Sequence, residues 1–160
     1  MNHLFILPVL FLTLLVGSPA SADFQKGFDA YERGDYATAL REFRPLAEQG
    51  NAGAQNNLGV MYEKGQGVSQ NDKTAVKWYR FAAEQGFAIA QYNLGLMYHK
   101  GQGVTQDYVR AHMWYNLATS QGDMDATKNR DILAKKMTPA DVSKAKDLAR
   151  ECVKKNYKGC

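Results

Sequence analysis

The sequence predicts an all-α protein, a solenoid built from antiparallel helix pairs. Three observations carry this prediction. Residues 54–89 and 90–125 align without a gap, and 19 of the 36 positions are identical. A fixed period of this length marks a repeat array in which each unit is one supersecondary element. Within each unit, Ala54, Leu58 and Tyr62, then Ala90, Leu94 and Tyr98, recur at helical spacing. Each such run ends in a Gly-rich loop, Lys64-Gly65-Gln66-Gly67-Val68 or Lys100-Gly101-Gln102-Gly103-Val104. Glycine there supplies the positive-φ conformations that stop a helix and turn the chain.

The first 22 residues read differently. They contain no Asp, Glu, Lys or Arg, and the apolar run from Leu4 to Val16 is broken only by Pro8 and Thr13. Ala20-Ser21-Ala22 follows, which is the small-residue layout of a secretory signal peptide cleaved after Ala22. A membrane anchor needs about 17–25 apolar residues, more than this run provides. Asp23, not Cys, stands directly after the cleavage site, which argues against a lipoprotein. The expected location of residues 23–160 is therefore the periplasm or the exterior. These residues are too apolar for disorder and too few for a two-domain cofactor enzyme.

Residues 23–53 form a variant first unit. Gly27, Tyr36, Ala39 and Phe43 mark its spacing, and a short Gly34-Asp35 turn replaces the long loop. Ala47-Glu48-Gln49-Gly50 aligns with Ala83-Glu84-Gln85-Gly86, so the register is kept. Pro45 falls inside the predicted second helix, where its missing N–H predicts a bend.

In the two matched units the first helices are expected over Ala54–Glu63 and Ala90–His99. Gly59 and Gly95 sit inside them, where Gly costs about 1 kcal/mol relative to Ala. Their recurrence implies that a neighbouring helix comes too close for a Cβ. Val68 and Val104 are expected to tuck the loops onto the core. The second helices should start at Asp72 and Asp107, an acidic residue suiting the N-terminus. Their buried stripes are Ala75, Trp78, Tyr79 and Ala82, then Ala111, Trp114, Tyr115 and Ala118. Residues 126–160 close the array. The stretch 123–136 reads as another first helix without the Leu-Gly core. Thr138-Pro139-Ala140-Asp141 reads as an N-cap opening a helix from Pro139 to Lys154. Its apolar face is Val142, Ala145, Leu148, Ala149 and Cys152. The whole net charge of +4 falls within residues 123–160, because residues 23–122 balance.

The pattern A-x-x-x-L-G-x-x-Y-x-x-G-x-G-V, then A-x-x-W-Y and A-x-x-Q-G, resembles the Sel1-like repeat, a relative of the tetratricopeptide repeat. The resemblance is specific over residues 54–122, and residues 24–50 are closer to tetratricopeptide spacing. It implies a right-handed superhelix whose first helices line the concave side. It also implies an interaction module for a protein or peptide rather than an enzyme. The segment from Cys152 to Cys160 resembles the C-x7-C element of cysteine-rich Sel1-like proteins, which implies a disulfide. Two free thiols or a metal site are the alternatives, and no His lies near either Cys in sequence.

Positions that differ between matched units are the candidate partner contacts. Asn56, Val60 and Glu63 become Tyr92, Leu96 and His99, at i, i+4 and i+7 on one stripe of each first helix. Catalytic and metal-binding motifs find little support. His99 and His112 lack ligand spacing, and no nucleophile or phosphate-loop motif is present. No cofactor is expected, and export with modest charge disfavours nucleic acid. Two competing readings remain: a β-lactam-binding or hydrolysing enzyme like some cysteine-rich relatives, and an envelope-polymer or membrane-surface binder acting through the basic tail.

Overall fold

The computed structural model describes residues 19–160, with side chains from Asp23 onward. The expected signal segment lies for the most part outside the described residues. The described chain forms eight helices: α1 Pro19–Glu32, α2 Tyr36–Glu48, α3 Ala52–Lys64, α4 Asp72–Ala83, α5 Ala88–Lys100, α6 Tyr108–Thr119, α7 Met124–Ala134 and α8 Pro139–Lys154. Each helix from α1 to α6 packs on the next, which is the contact pattern of a solenoid. The helix α8 departs from it, packing on α6 instead of forming another close pair with α7.

Polar side chains fix most helix starts. Asp35, Asn51, Asn71, Asp107, Asp123 and Thr138 each accept a hydrogen bond from the backbone N–H three residues on, at 2.7–3.1 Å. The cap of α4 is thus Asn71, and Asp72 opens the helix as expected. Asp107 caps α6 as expected. The first helices also begin two residues early, because Asn51 and Phe87 take the N-cap places. Gly65 and Gly101 end α3 and α5 at φ 68° and 70°.

The close approach inferred from the helical glycines is present. A Cβ on Gly59 would lie 2.5 Å from the Tyr79 ring, and one on Gly95 would lie 2.7 Å from the Tyr115 ring. Val68 and Val104 are half-buried against the core. Pro45 stays inside an unbroken α2 on its exposed side. The carbonyl of Arg41, which loses its donor there, belongs to an exposed residue.

Three expected core residues are placed differently. Trp114 is buried, but its counterpart Trp78 is only half-buried and meets Phe81 edge-on. The difference is tertiary: α8 covers α6, burying Ala149 and Cys152 in the same cluster as Trp114. On α8 itself, Ala145, Ala149 and Cys152 face inward, while Leu148 is exposed and Val142 half-buried. Cys152 and Cys160 stand at disulfide distance, with Cα atoms 5.6 Å apart.

Candidate partner-binding face

The glycine contacts set the register of the first helices. Gly27 lies under Phe43 as Gly59 lies under Tyr79 and Gly95 under Tyr115. Phe24, Phe28 and Tyr31 on α1 therefore stand where α3 has Asn56, Val60 and Glu63 and α5 has Tyr92, Leu96 and His99. On α7, Ala126 takes the buried place of Ala90, which puts Lys128, Ile132 and Lys135 in the same three places.

Side-chain bonds run directly from first helix to first helix. The Asn93 amide donates to Asn56 Oδ1 at 3.0 Å, and the Asn129 amide donates to the Tyr92 hydroxyl at 3.0 Å. Such direct contact between alternate helices is expected on the inner side of a curved stack. It also spends one set of the sequence-selected residues. Asn56 is buried, and its side chain serves α5 rather than a partner. Tyr92 is half-buried, with its ring 5.9 Å from that of Tyr115.

The places of Glu63 and His99 serve the helix pair as well. The Tyr79 hydroxyl donates to Glu63 Oε2 at 2.5 Å. Burial, and next the Glu63 carboxylate, push the Tyr79 pKa well above the usual phenol value. His99 Nδ1 lies 3.3 Å from the Tyr115 hydroxyl. Burial, then Lys136 and Lys100, hold the His99 pKa below its ordinary value, so the ring stays neutral near pH 7. A neutral ring can accept from the Tyr115 hydroxyl, so His99 repeats Glu63's role with different chemistry.

Apolar side chains remain open at the middle place of each stripe. Phe28 is 41% exposed, Val60 and Leu96 are half-buried, and Ile132 is 42% exposed. One apolar residue per first helix, on α1, α3, α5 and α7, makes a row across the whole array. Sequence comparison of two units found Val60 and Leu96 but missed Phe28 and Ile132. The match of Gly27 with Gly59, 32 residues apart instead of 36, was the signal that would have added α1. Among the described residues no three His, Cys, Asp or Glu side chains gather to hold a metal ion. His112 is buried and its Nδ1 has no hydrogen-bond partner.

Residues 52–87 and 88–123 match the family model described as the Sel1 repeat. None of the curated proteins matches the chain. Among solved structures, the chain is similar to a protective antigen of uropathogenic Escherichia coli displaying an SLR fold. That likeness has 32% identity and a TM-score of 0.82, over 88% of this chain and 32% of the other. It is also similar to a Sel1 repeat protein from Oxalobacter formigenes. There the identity is 40% and the TM-score 0.66, over 69% of this chain and 45% of the other. The chain thus spans less than half the length of either structure.

Proposed function

We propose that this chain, which carries two Sel1 repeats, is a periplasmic adaptor or assembly module that docks a protein segment along the inner face of its array. The Sel1-repeat fold is a protein–protein interaction module, and proteins of this kind are typically non-catalytic scaffolds. The observation that supports this reading best is the row Phe28, Val60, Leu96 and Ile132. Regularly spaced apolar side chains on successive repeats suit an extended or helical segment that presents apolar residues at the same pitch. The part-buried pairs Asn56–Asn93 and Tyr92–Asn129 tie successive first helices together beside that row.

Export is part of the proposal. It rests on the character of residues 1–22 and on a cysteine pair suited to an oxidising compartment. Among the described residues no helix is long and apolar enough to cross a membrane.

Crosslinked capture from the native envelope, comparing the wild-type chain with Val60→Ser/Leu96→Ser/Ile132→Ser, tests the assignment. The triple variant should keep its helicity by circular dichroism and lose its specific crosslinks. Crosslinks retained by a folded triple variant would move the docking face elsewhere. Hydrolysis of a chromogenic β-lactam by the purified chain, abolished with unfolding, would favour the enzyme reading instead.

A further inference from the structure

A second site lies away from the inner row, where the end of α5 meets α4 and α6. Arg80 near the end of α4 donates to the Tyr98 hydroxyl at 2.8 Å, and Arg110 in the first turn of α6 donates to the same oxygen at 3.3 Å. The Arg110 guanidinium also lies 5.7 Å from the Tyr98 ring centroid. Two guanidinium groups thus converge on one neutral acceptor. The only carboxylate within salt-bridge reach among the described residues is Asp107, 3.6 Å from Arg110. That carboxylate is already committed through its other oxygen to capping α6.

Both guanidinium groups line an open cleft of about 300 Å³. Arg110 and Asp107 also border a second cavity of about 370 Å³, whose walls include Val109, Met113, Lys144 and Leu148. A concentration of N–H donors therefore adjoins a mixed cavity, in which Val109, Met113 and Leu148 form the apolar part and Lys144 adds a third cation. The repeat does not require this. One unit earlier the matched residues are Arg44, Tyr62 and Thr74, so the paired arginines arise at one junction only.

We propose that this cleft binds a carboxylate of a peptide, with Arg80 and Arg110 holding the carboxylate and the Val109–Met113–Leu148 cavity taking a neighbouring apolar side chain. Guanidinium forks match the planar geometry of a carboxylate, and a two-arginine site leaves enough donors for both oxygens. The exposed Leu148, which departs from the expected inward face of α8, then has a role as a wall of the cavity. The site acts independently of the inner row.

The test uses the full chain and fluorescein-labelled decapeptides read by fluorescence anisotropy. One probe ends in leucine with a free carboxylate, and a second is the same peptide amidated. A third is amidated but carries an internal glutamate before leucine. The free-carboxylate probe should bind roughly tenfold or more tightly than its amide, with affinity falling as salt rises. Arg80→Gln/Arg110→Gln should remove that preference. Arg110→Thr, which installs the residue of the preceding junction, should reduce it without disturbing the fold. Asp107→Asn should strengthen binding severalfold, since Asn keeps the cap, as Asn71 does on α4, and removes the competing charge. Leu96→Ser/Ile132→Ser on the inner row should change nothing. Binding of the internal-glutamate probe supports a side-chain carboxylate as the source, and binding of the free chain end alone supports a C-terminus. Failure of both carboxylate probes to outbind the plain amide, or affinity unmoved in both arginine variants, overturns the proposal.

Discussion

Gly59→Ala sets two effects against each other. In an ordinary helix interior the change gains about 1 kcal/mol from backbone entropy. Here the added methyl would lie 2.5 Å from two atoms of the Tyr79 ring, well inside contact distance. The ring has little freedom to yield, since Tyr79 is fully buried and its hydroxyl is anchored on Glu63. Overpacking of this kind costs about 1–3 kcal/mol, and at this overlap the upper half of that range applies. The net loss is then about 1–2 kcal/mol, or a fall in Tm of about 3–8 °C for a chain of this size. Thermal and urea unfolding followed by far-UV circular dichroism measure it. The second arm is Tyr79→Leu, a smaller and more flexible side chain. In that background the overlap is relieved while the propensity gain remains, so Gly59→Ala should become neutral or stabilising. A Gly59→Ala protein as stable as wild type, or a loss of equal size in both backgrounds, would refute the argument that helix approach fixes this glycine.

Other expectations follow the same contacts. Gln91 is fully buried, donates to the Ala83 carbonyl and accepts from Gln121, so Gln91→Leu should cost about 1–3 kcal/mol in urea unfolding. Cys152→Ser/Cys160→Ser should cost about 2–3 kcal/mol, with hydrogen exchange rising first in α8. Burial first, then Arg130 and Lys146, hold the His112 pKa below its ordinary value, so the unfolded chain takes up that proton at higher pH than the folded one. Stability should therefore fall as pH drops below about 6.5 and stop falling below the folded-state pKa. His112→Val, the residue of the matched position Val76, should flatten that slope in urea titrations, leaving the share that His99 contributes by the same sign.

The sequence made the repeat, its helix pairs and the glycine contacts legible, because these depend on local spacing that both matched units share. It did not reveal Gln55 and Gln91. They recur in identical places, yet glutamine reads as surface by type. Inside the array each amide donates to the carbonyl of Ala47 or Ala83, and each accepts from Gln85 or Gln121. A recurring polar residue flanked by core alanine was the available sign. The site was less legible than the fold. Variation between units drew attention to six positions, but variation does not distinguish a partner contact from an internal one. Asn56 and Tyr92 differ while both bond to a neighbouring first helix, and Glu63 and His99 differ while both stand beside a buried tyrosine hydroxyl.

The two tryptophans show why sequence identity between units does not give identical environments. Trp78 and Trp114 occupy the same place in their repeats, and only the second is sealed by a following helix. Burial in a stacked array depends on what comes next, so the last regular unit inherits its surroundings from the cap. Here the cap does more than shield an end. By lying on α6 instead of pairing with α7, α8 brings Lys144 and Leu148 to the cavity beside the arginine cleft. It also leaves Ile132 on α7 open at the end of the inner row. The bond between Cys152 and Cys160 closes the short loop that holds Tyr157 against Gly86, at the end of the second helix of the 54–89 unit. The basic segment is therefore fastened at both ends, and its position determines which parts of the array remain available for contact.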